Sequence, residues 1–186
     1  MENPWKKLSG KQIYDNPWIR VEEDQVINPS GGQSIYGKVL YKNLAVAVIP
    51  VDDQGYTYLV GQYRYVHDEY SWEIPMGGSD KGESTLETAK RELREETGLV
   101  AKNYSVLVPE VHLSNCIGNE KGFVFLAKDL EQKSPLPDDT EKLEVKRVPI
   151  KEAIERVLSG EIKDSLSVMG LQRLALLTEF NQLFKS

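Results

Sequence analysis

Residues 77–99 read GGSDKGESTLETAKRELREETGL, from Gly77 to Leu99. Gly77 and Gly78 follow Pro75, and Gly82 comes soon after, so the segment begins as a tight loop. Ser84 with Glu87 three residues on is a capping box, which predicts a helix opening near Ser84. Gly98 stops it. At 100° per residue, Leu86, Ala89, Leu93 and Thr97 fall within an arc of about 80°, the expected buried stripe. Glu92 and Glu96 are one turn apart beside that stripe, and Glu95 lies on the far side of Glu92. Like charges at this spacing cost roughly 0.2–0.5 kcal/mol per pair on an exposed helix. A divalent cation that prefers oxygen ligands, Mg²⁺ or Mn²⁺, would remove the cost. Arg91 reaches Glu95 at i,i+4, which leaves Glu92 and Glu96 freest for metal.

An acidic helix laced with Arg and Lys is ordinarily just a solvated face. The spacing argues otherwise. Gly77, Glu83, Arg91, Glu92, Glu95, Glu96 and Gly98 are seven fixed polar or Gly positions, and Leu93 and Leu99 are two apolar ones, in the stretch that ends Arg91-Glu92-Leu93-Arg94-Glu95-Glu96-Thr97-Gly98-Leu99. Chance would produce that at roughly one start position in 10⁹. The pattern is the Nudix box, and the chain resembles a Nudix hydrolase. The resemblance implies an α+β fold, an α/β/α sandwich with a mixed central sheet and an N-terminal antiparallel β extension. It also implies hydrolysis of a nucleoside diphosphate linked to another moiety, with Mg²⁺ (alternatively Mn²⁺) held on the diphosphate. By the same resemblance the metal ligands are Glu92, Glu96, the backbone carbonyl of Met76, and Glu95. Gly77 and Gly78 form the substrate-facing loop, and Glu83 supports that loop or a metal shell.

Composition sets the outer bounds. The chain has 186 residues, 40% hydrophobic and 28% charged, with net charge −6 and pI about 5.1. That suits one domain with an extension and argues against nucleic acid as a partner. A small anionic substrate stays open, because a bound metal inverts the local field. No apolar run is long enough for a membrane helix, and the N-terminus lacks a signal-peptide core. The single cysteine, Cys116, fits a reducing cytoplasm.

Upstream of the box, residues 1–42 form an N-terminal β layer. Strands at Trp18–Val21, Gln25–Ile27 and Ser34–Tyr41 are separated by the turn Asn28-Pro29-Ser30-Gly31-Gly32. Such a layer has little core of its own. The resemblance implies that it makes a homodimer, often with exchanged strands. Trp5, Trp18, Tyr36 and Tyr41 either pack or stack on a base. Residues 43–186 are then the Nudix domain. Leu44–Val51 is an apolar run expected as a strand buried on both faces, and Tyr56–Tyr63 returns after the turn at Asp52–Gly55. Gln62-Tyr63-Arg64 followed by Trp72-Glu73-Ile74-Pro75 resembles the ADP-ribose and GDP-mannose pyrophosphatase branch. There the Arg, here Arg64, contacts the diphosphate and assists catalysis. Tyr63 and Glu73 line the same cleft. A guanidinium fork suits phosphate oxygens. A surface salt bridge is the alternative reading of Arg64.

Downstream, strands are expected at Tyr104–His112, Gly122–Lys128 and Leu143–Val148. The polar loop Ser114–Lys121 carries Asn115 where ADP-ribose pyrophosphatases have a proline, which favours other nucleotide sugars. His112 and Cys116 lack the third member of a nucleophile–base arrangement, and His67 reads as a surface residue. Residues 129–141 form a Pro-rich acidic loop. By resemblance Glu141, then Asp139, supplies the catalytic base or an extra ligand; a solvated acidic loop is the alternative. Ile150, Ala153, Ile154, Val157 and Leu158 recur at helical spacing up to Gly160. Asp164 or Ser165 caps a last helix whose Leu171, Leu174, Ala175 and Phe180 supply core.

The expected activity is therefore metal-dependent cleavage of a nucleoside diphosphate sugar to a nucleoside monophosphate and a sugar phosphate. The alternatives are another Nudix substrate (ADP-ribose, a dinucleoside polyphosphate, a triphosphate) or a sensor that binds a nucleotide sugar without cutting it.

Overall fold

The computed structural model describes residues 2–133 and 143–183. Ten strands and three helices follow one another among them: β1 Lys6–Asp15, β2 Ile19–Ile27, β3 Gln33–Tyr41, β4 Ala45–Pro50, β5 Tyr56–Arg64, β6 Glu69–Glu73, β7 Met76–Gly78, α1 Thr85–Thr97, β8 Leu99–His112, β9 Lys121–Gln132, β10 Glu144–Pro149, α2 Ile150–Leu158 and α3 Ser165–Leu183. They divide into two compact units, Met1–Leu44 with His112–Lys121, and Ala45–Val111 with Gly122–Ser186.

The first unit is built on an antiparallel sheet of order β1-β2-β3. The expected turn between β2 and β3 is present. The Asn28 side chain accepts from the amides of Ser30 and Gly32, and Gly31 takes a positive φ of 85°, which a side chain would resist. β1 is absent from the sequence reading for a physical reason. All ten of its residues are exposed, so no face of it is marked by alternation. The expected polar loop Ser114–Lys121 lies between β8 and β9 and is tied to β3. The amide of Val39 donates to the Ile117 carbonyl, Asn119 accepts from the Tyr41 amide, and the Tyr36 hydroxyl donates to the Cys116 carbonyl.

The second unit holds a mixed sheet of order β7-β4-β9-β8 and an antiparallel sheet of order β10-β5-β6. β4 runs parallel to β9 and antiparallel to β7. Val46, Ala47, Val48 and Ile49 are all fully buried. That is how a strand covered on both faces reads, and α1 and α3 both pack on it. α2 packs on β5, β10 and α3. On the α3 side, Gly170 lets the helix approach Val124 and Ile49 closely enough that an added methyl would press on both.

Helix α1 forms as its ends dictate. Ser84 and Glu87 close a full capping box, and Gly98 adopts the left-handed conformation at φ 71°. Its buried face differs from the expected stripe. Leu86 is exposed, while Thr88, Ala89, Glu92, Leu93, Glu96 and Thr97 are buried. The face is rotated so that Glu92 and Glu96 lie within it, not beside it. Further on, residues 129–132, expected as the start of a loop, continue strand β9. Among the described residues, no helix is long and apolar enough to cross a membrane.

Candidate active site

The loop before α1 and the helix itself are joined by their functional groups. Gly77 lies against Glu92 so closely that a Cβ there would overlap the Glu92 carboxylate. The amide of Met76 donates to Glu96 Oε2 at 2.9 Å. Both carboxylates are held in place although they are nearly inaccessible, at 8% and 7% of their full exposure. Burial of this kind is costly for a carboxylate unless charge or hydrogen bonds compensate it.

Arg91 supplies part of the compensation. It donates Nε and Nη2 to the two oxygens of Glu83, each at 3.0 Å. Nη1 reaches Glu92 at 2.6 Å and Glu95 at 3.0 Å, and Nη2 also reaches the Gly78 carbonyl at 2.8 Å. The expected bond to Glu95 is present, but Glu92 shares the same nitrogen, so Glu92 is not left free of Arg91. A bidentate fork on Glu83 leaves Nη1 aimed along the helix, where residues one and four positions on both lie within reach. The Arg91 guanidinium, with help from the Asp80 amide and the Thr88 hydroxyl, holds the Glu83 carboxyl down at about 2. The Glu83 carboxylate first, and then those of Glu92 and Glu95, push the Arg91 pKa up. Glu83 therefore braces the loop.

A second group lies at the end of β5. Arg64 makes a two-pronged ion pair with Glu73, with Nε at 2.8 Å from one oxygen and Nη2 on the other. The Glu73 side chain is 4% exposed and that of Arg64 37%, so the pair has one buried and one solvent-accessible partner. Glu73 first, and then the charges of Asp164 and Glu96, raise the Arg64 pKa. Arg64 and Glu73 form part of the wall of a cavity of about 650 Å³, together with Tyr63, His67, Lys163 and Asp164. Burial raises the Asp164 carboxyl pKa, and the neighbouring Glu73 charge raises it further. His67, expected as a plain surface residue, is exposed but lines this cavity.

The structure brings together Met76, Gly77, Gly78, Glu92, Glu95 and Glu96 at the loop–helix junction, and Tyr63, Arg64 and Glu73 at the cavity. Asp139 and Glu141 lie outside the described residues. Asp164, which the sequence marks only as a helix cap, also lines the cavity.

The residues suit a hard divalent cation. Their donors are two buried carboxylates and a backbone carbonyl, an all-oxygen set of the kind Mg²⁺ and Mn²⁺ take. The missing side chain at Gly77 makes room for the Glu92 carboxylate itself. Among the described residues no cluster of three or more carboxylate, His or Cys side chains stands ready for a metal. The set would be completed by main-chain oxygen and solvent, which Mg²⁺ usually retains.

Known proteins resemble the chain over most of its length. Residues 41–166 match the NUDIX domain, and residues 5–39 match the nucleoside diphosphate sugar hydrolase N-terminal domain. An ADP-ribose pyrophosphatase of Mycobacterium tuberculosis is 34% identical over 173 residues, covering 91% of this chain and 83% of that protein. An ADP-ribose pyrophosphatase of Bacillus subtilis is 34% identical over 174 residues, covering 92% of each. A crystal structure of an ADP compounds hydrolase superposes with a TM-score of 0.85 at 22% identity, covering 95% of both chains. At that identity it speaks for the fold alone.

Proposed function

The chain belongs to the Nudix family of hydrolases, and on that basis we propose that it splits the diphosphate of a nucleoside diphosphate sugar into a nucleoside monophosphate and a sugar phosphate. The observation that carries the reading is the pair of buried carboxylates, Glu92 and Glu96, facing the Met76–Gly77 turn. Two buried acids one turn apart are costly for a helix, and a divalent cation offsets that cost. The N-terminal match and the names of the relatives support nucleotide sugars as the substrate class, ADP-ribose included. Asn115 keeps the preference among them open to sugars other than ribose.

Mg²⁺, with Mn²⁺ as the alternative, is the proposed metal. Glu92, Glu96 and the Met76 carbonyl would hold it, with Glu95 as a further ligand once Arg91 releases it. Bound there, a divalent cation supplies charge neutralisation of the diphosphate and a lowered pKa for the attacking water. The chain's own groups do the rest. Arg64 is held by Glu73 in the cavity wall and presents a guanidinium for the phosphate oxygens, whose charge grows in the transition state. Tyr63 shares that wall. Gly77 and Gly78 let the backbone come close to the substrate. Glu141 first, and Asp139 second, are the candidates to take the water proton.

A homodimer in the cytoplasm completes the proposal. Trp18, Ile35, Ile13 and Leu8 are exposed large apolar side chains in the N-terminal unit, and exposed apolar area of this kind marks an interaction surface. Sedimentation of the intact chain tests this point.

The direct test of the site is Glu96→Gln. Loss of hydrolysis by a factor of 10³ or more with an unchanged circular dichroism spectrum is expected. Full activity in that variant would remove the metal assignment. Tight binding of a nucleotide sugar by the native protein in Mg²⁺, without turnover, would favour the sensor reading instead.

A further inference from the structure

The turn Ile74-Pro75-Met76 carries the backbone that faces the box helix, and three elements hold it. The Pro75 carbonyl accepts from the Val48 amide of β4 at 2.9 Å. The Met76 amide donates to Glu96 of α1 at 2.9 Å. The third anchor comes from outside the box. The Ile74 amide donates to the hydroxyl of Ser167, in the first turn of α3, at 3.0 Å. Ile74 and Ser167 are both essentially inaccessible. β6 ends at Glu73, so the Ile74 amide has left the strand ladder, and a buried amide needs some acceptor.

Asp164 sets the orientation of that hydroxyl. Its Oδ1 accepts from the Ser167 amide at 2.7 Å and from the Ser167 hydroxyl at 2.8 Å. With its proton committed to Asp164, the hydroxyl can only turn a lone pair toward Ile74. Capping of α3 and anchoring of the pre-box turn are thus one hydrogen-bond chain, Ile74 to Ser167 to Asp164. Ile74 lies between Glu73, which holds Arg64, and Met76, whose amide is bonded to Glu96. A shift at Ile74 would move both.

We propose that Ser167, oriented by Asp164, is a positioning residue for the reaction, fixing the Glu73–Met76 turn against the box helix. The inference rests on the metal reading given under Proposed function.

The experiment uses Mn²⁺ alone, read by water-proton relaxation on the full chain, beside amide hydrogen exchange over residues 73–77. Ser167→Ala is expected to speed exchange at Ile74 and Met76 at least tenfold and to weaken Mn²⁺ binding three- to tenfold. It should lower kcat on a nucleotide sugar about tenfold with KM changed less than twofold. Asp164→Ala, which keeps the hydroxyl but frees its rotation, should move each quantity in the same direction. Asp164→Asn, which still offers an acceptor oxygen, should restore most of it. Faster exchange in Ser167→Ala with Mn²⁺ affinity and kcat unchanged would overturn the proposal, since the bond would then be structural only. If Ser167→Ala fails to fold, the Asp164 pair decides: Asp164→Ala matching the native protein overturns it. A native protein that binds no Mn²⁺ refutes the metal reading itself, and with it this inference. Native binding with an unaffected Ser167→Ala refutes the inference alone.

Discussion

The Glu92 carboxylate occupies the space that a side chain at residue 77 would need. Loop and helix are therefore fitted to each other at one point, and Gly77 is there for close approach, not for an unusual backbone angle. Gly77→Ala is expected to push the carboxylate aside. The displaced atoms are the far end of a flexible side chain, so the fold should survive at a cost of about 1–3 kcal/mol. A misplacement of about 1 Å in a reactive group costs on the order of 10²-fold in rate. Kinetics together with a melting curve check this. A large loss of stability with normal kcat in the folded fraction would count against it.

Arg91 compensates three carboxylates at once. Arg91→Ala leaves Glu83, Glu92 and Glu95 without that partner. Breaking a fully buried pair costs about 3–5 kcal/mol, and these groups keep some solvent, so about 2 kcal/mol is expected here. Mg²⁺ should raise the melting temperature of the variant more than that of the native protein, because the acids that have lost Arg91 gain the cation's charge in its place. An equal Mg²⁺ response in both would argue against a cation at this ridge.

Glu83 gives a pH test. Its carboxyl is held at about 2, against 4.5 for the free group. A depressed folded-state pKa means that the unfolded chain binds the proton first as pH falls. The stabilisation from Glu83 is thus complete above about pH 4.5 and is lost as pH drops toward 2. Urea midpoints measured between pH 6 and 2 should fall less steeply for Glu83→Gln than for the native protein. Parallel curves would show that Arg91 does not hold Glu83 in solution.

Arg64→Lys separates the two duties of Arg64. An ammonium cannot span both oxygens of Glu73 and still present a fork to a phosphate. KM for a nucleotide sugar is expected to rise about tenfold, with a further fall in kcat. Unchanged KM would mean that the Arg64–Glu73 pair serves the fold and does not reach the substrate.

Much of this was legible beforehand, and the reasons are specific. Helix α1 is announced by Ser84, Glu87 and Gly98, three local chemical signals that act whatever surrounds them. β4 is announced by an uninterrupted apolar run. β1 carries no such sign, because every residue in it is exposed. The rotation of α1 was hidden as well. Periodicity assigned Leu86 to the core and the acids to its edge, and only tertiary placement reveals that Glu92 and Glu96 are buried. Ser167 lies more than ninety residues from Ile74 in the chain, so no local pattern could pair them. Asp164 is readable as a cap, but its place in the cavity wall depends on the start of α3 lying beside Ile74.

The most direct measurement is a turnover panel in Mg²⁺ with products separated by chromatography: ADP-ribose, ADP-glucose, GDP-mannose, UDP-glucose, a diadenosine polyphosphate and several triphosphates, each repeated with EDTA. The account predicts a nucleoside monophosphate and a sugar phosphate from at least one nucleotide sugar, and no product with EDTA. Cleavage that persists in EDTA, or product from the triphosphates alone, would contradict it.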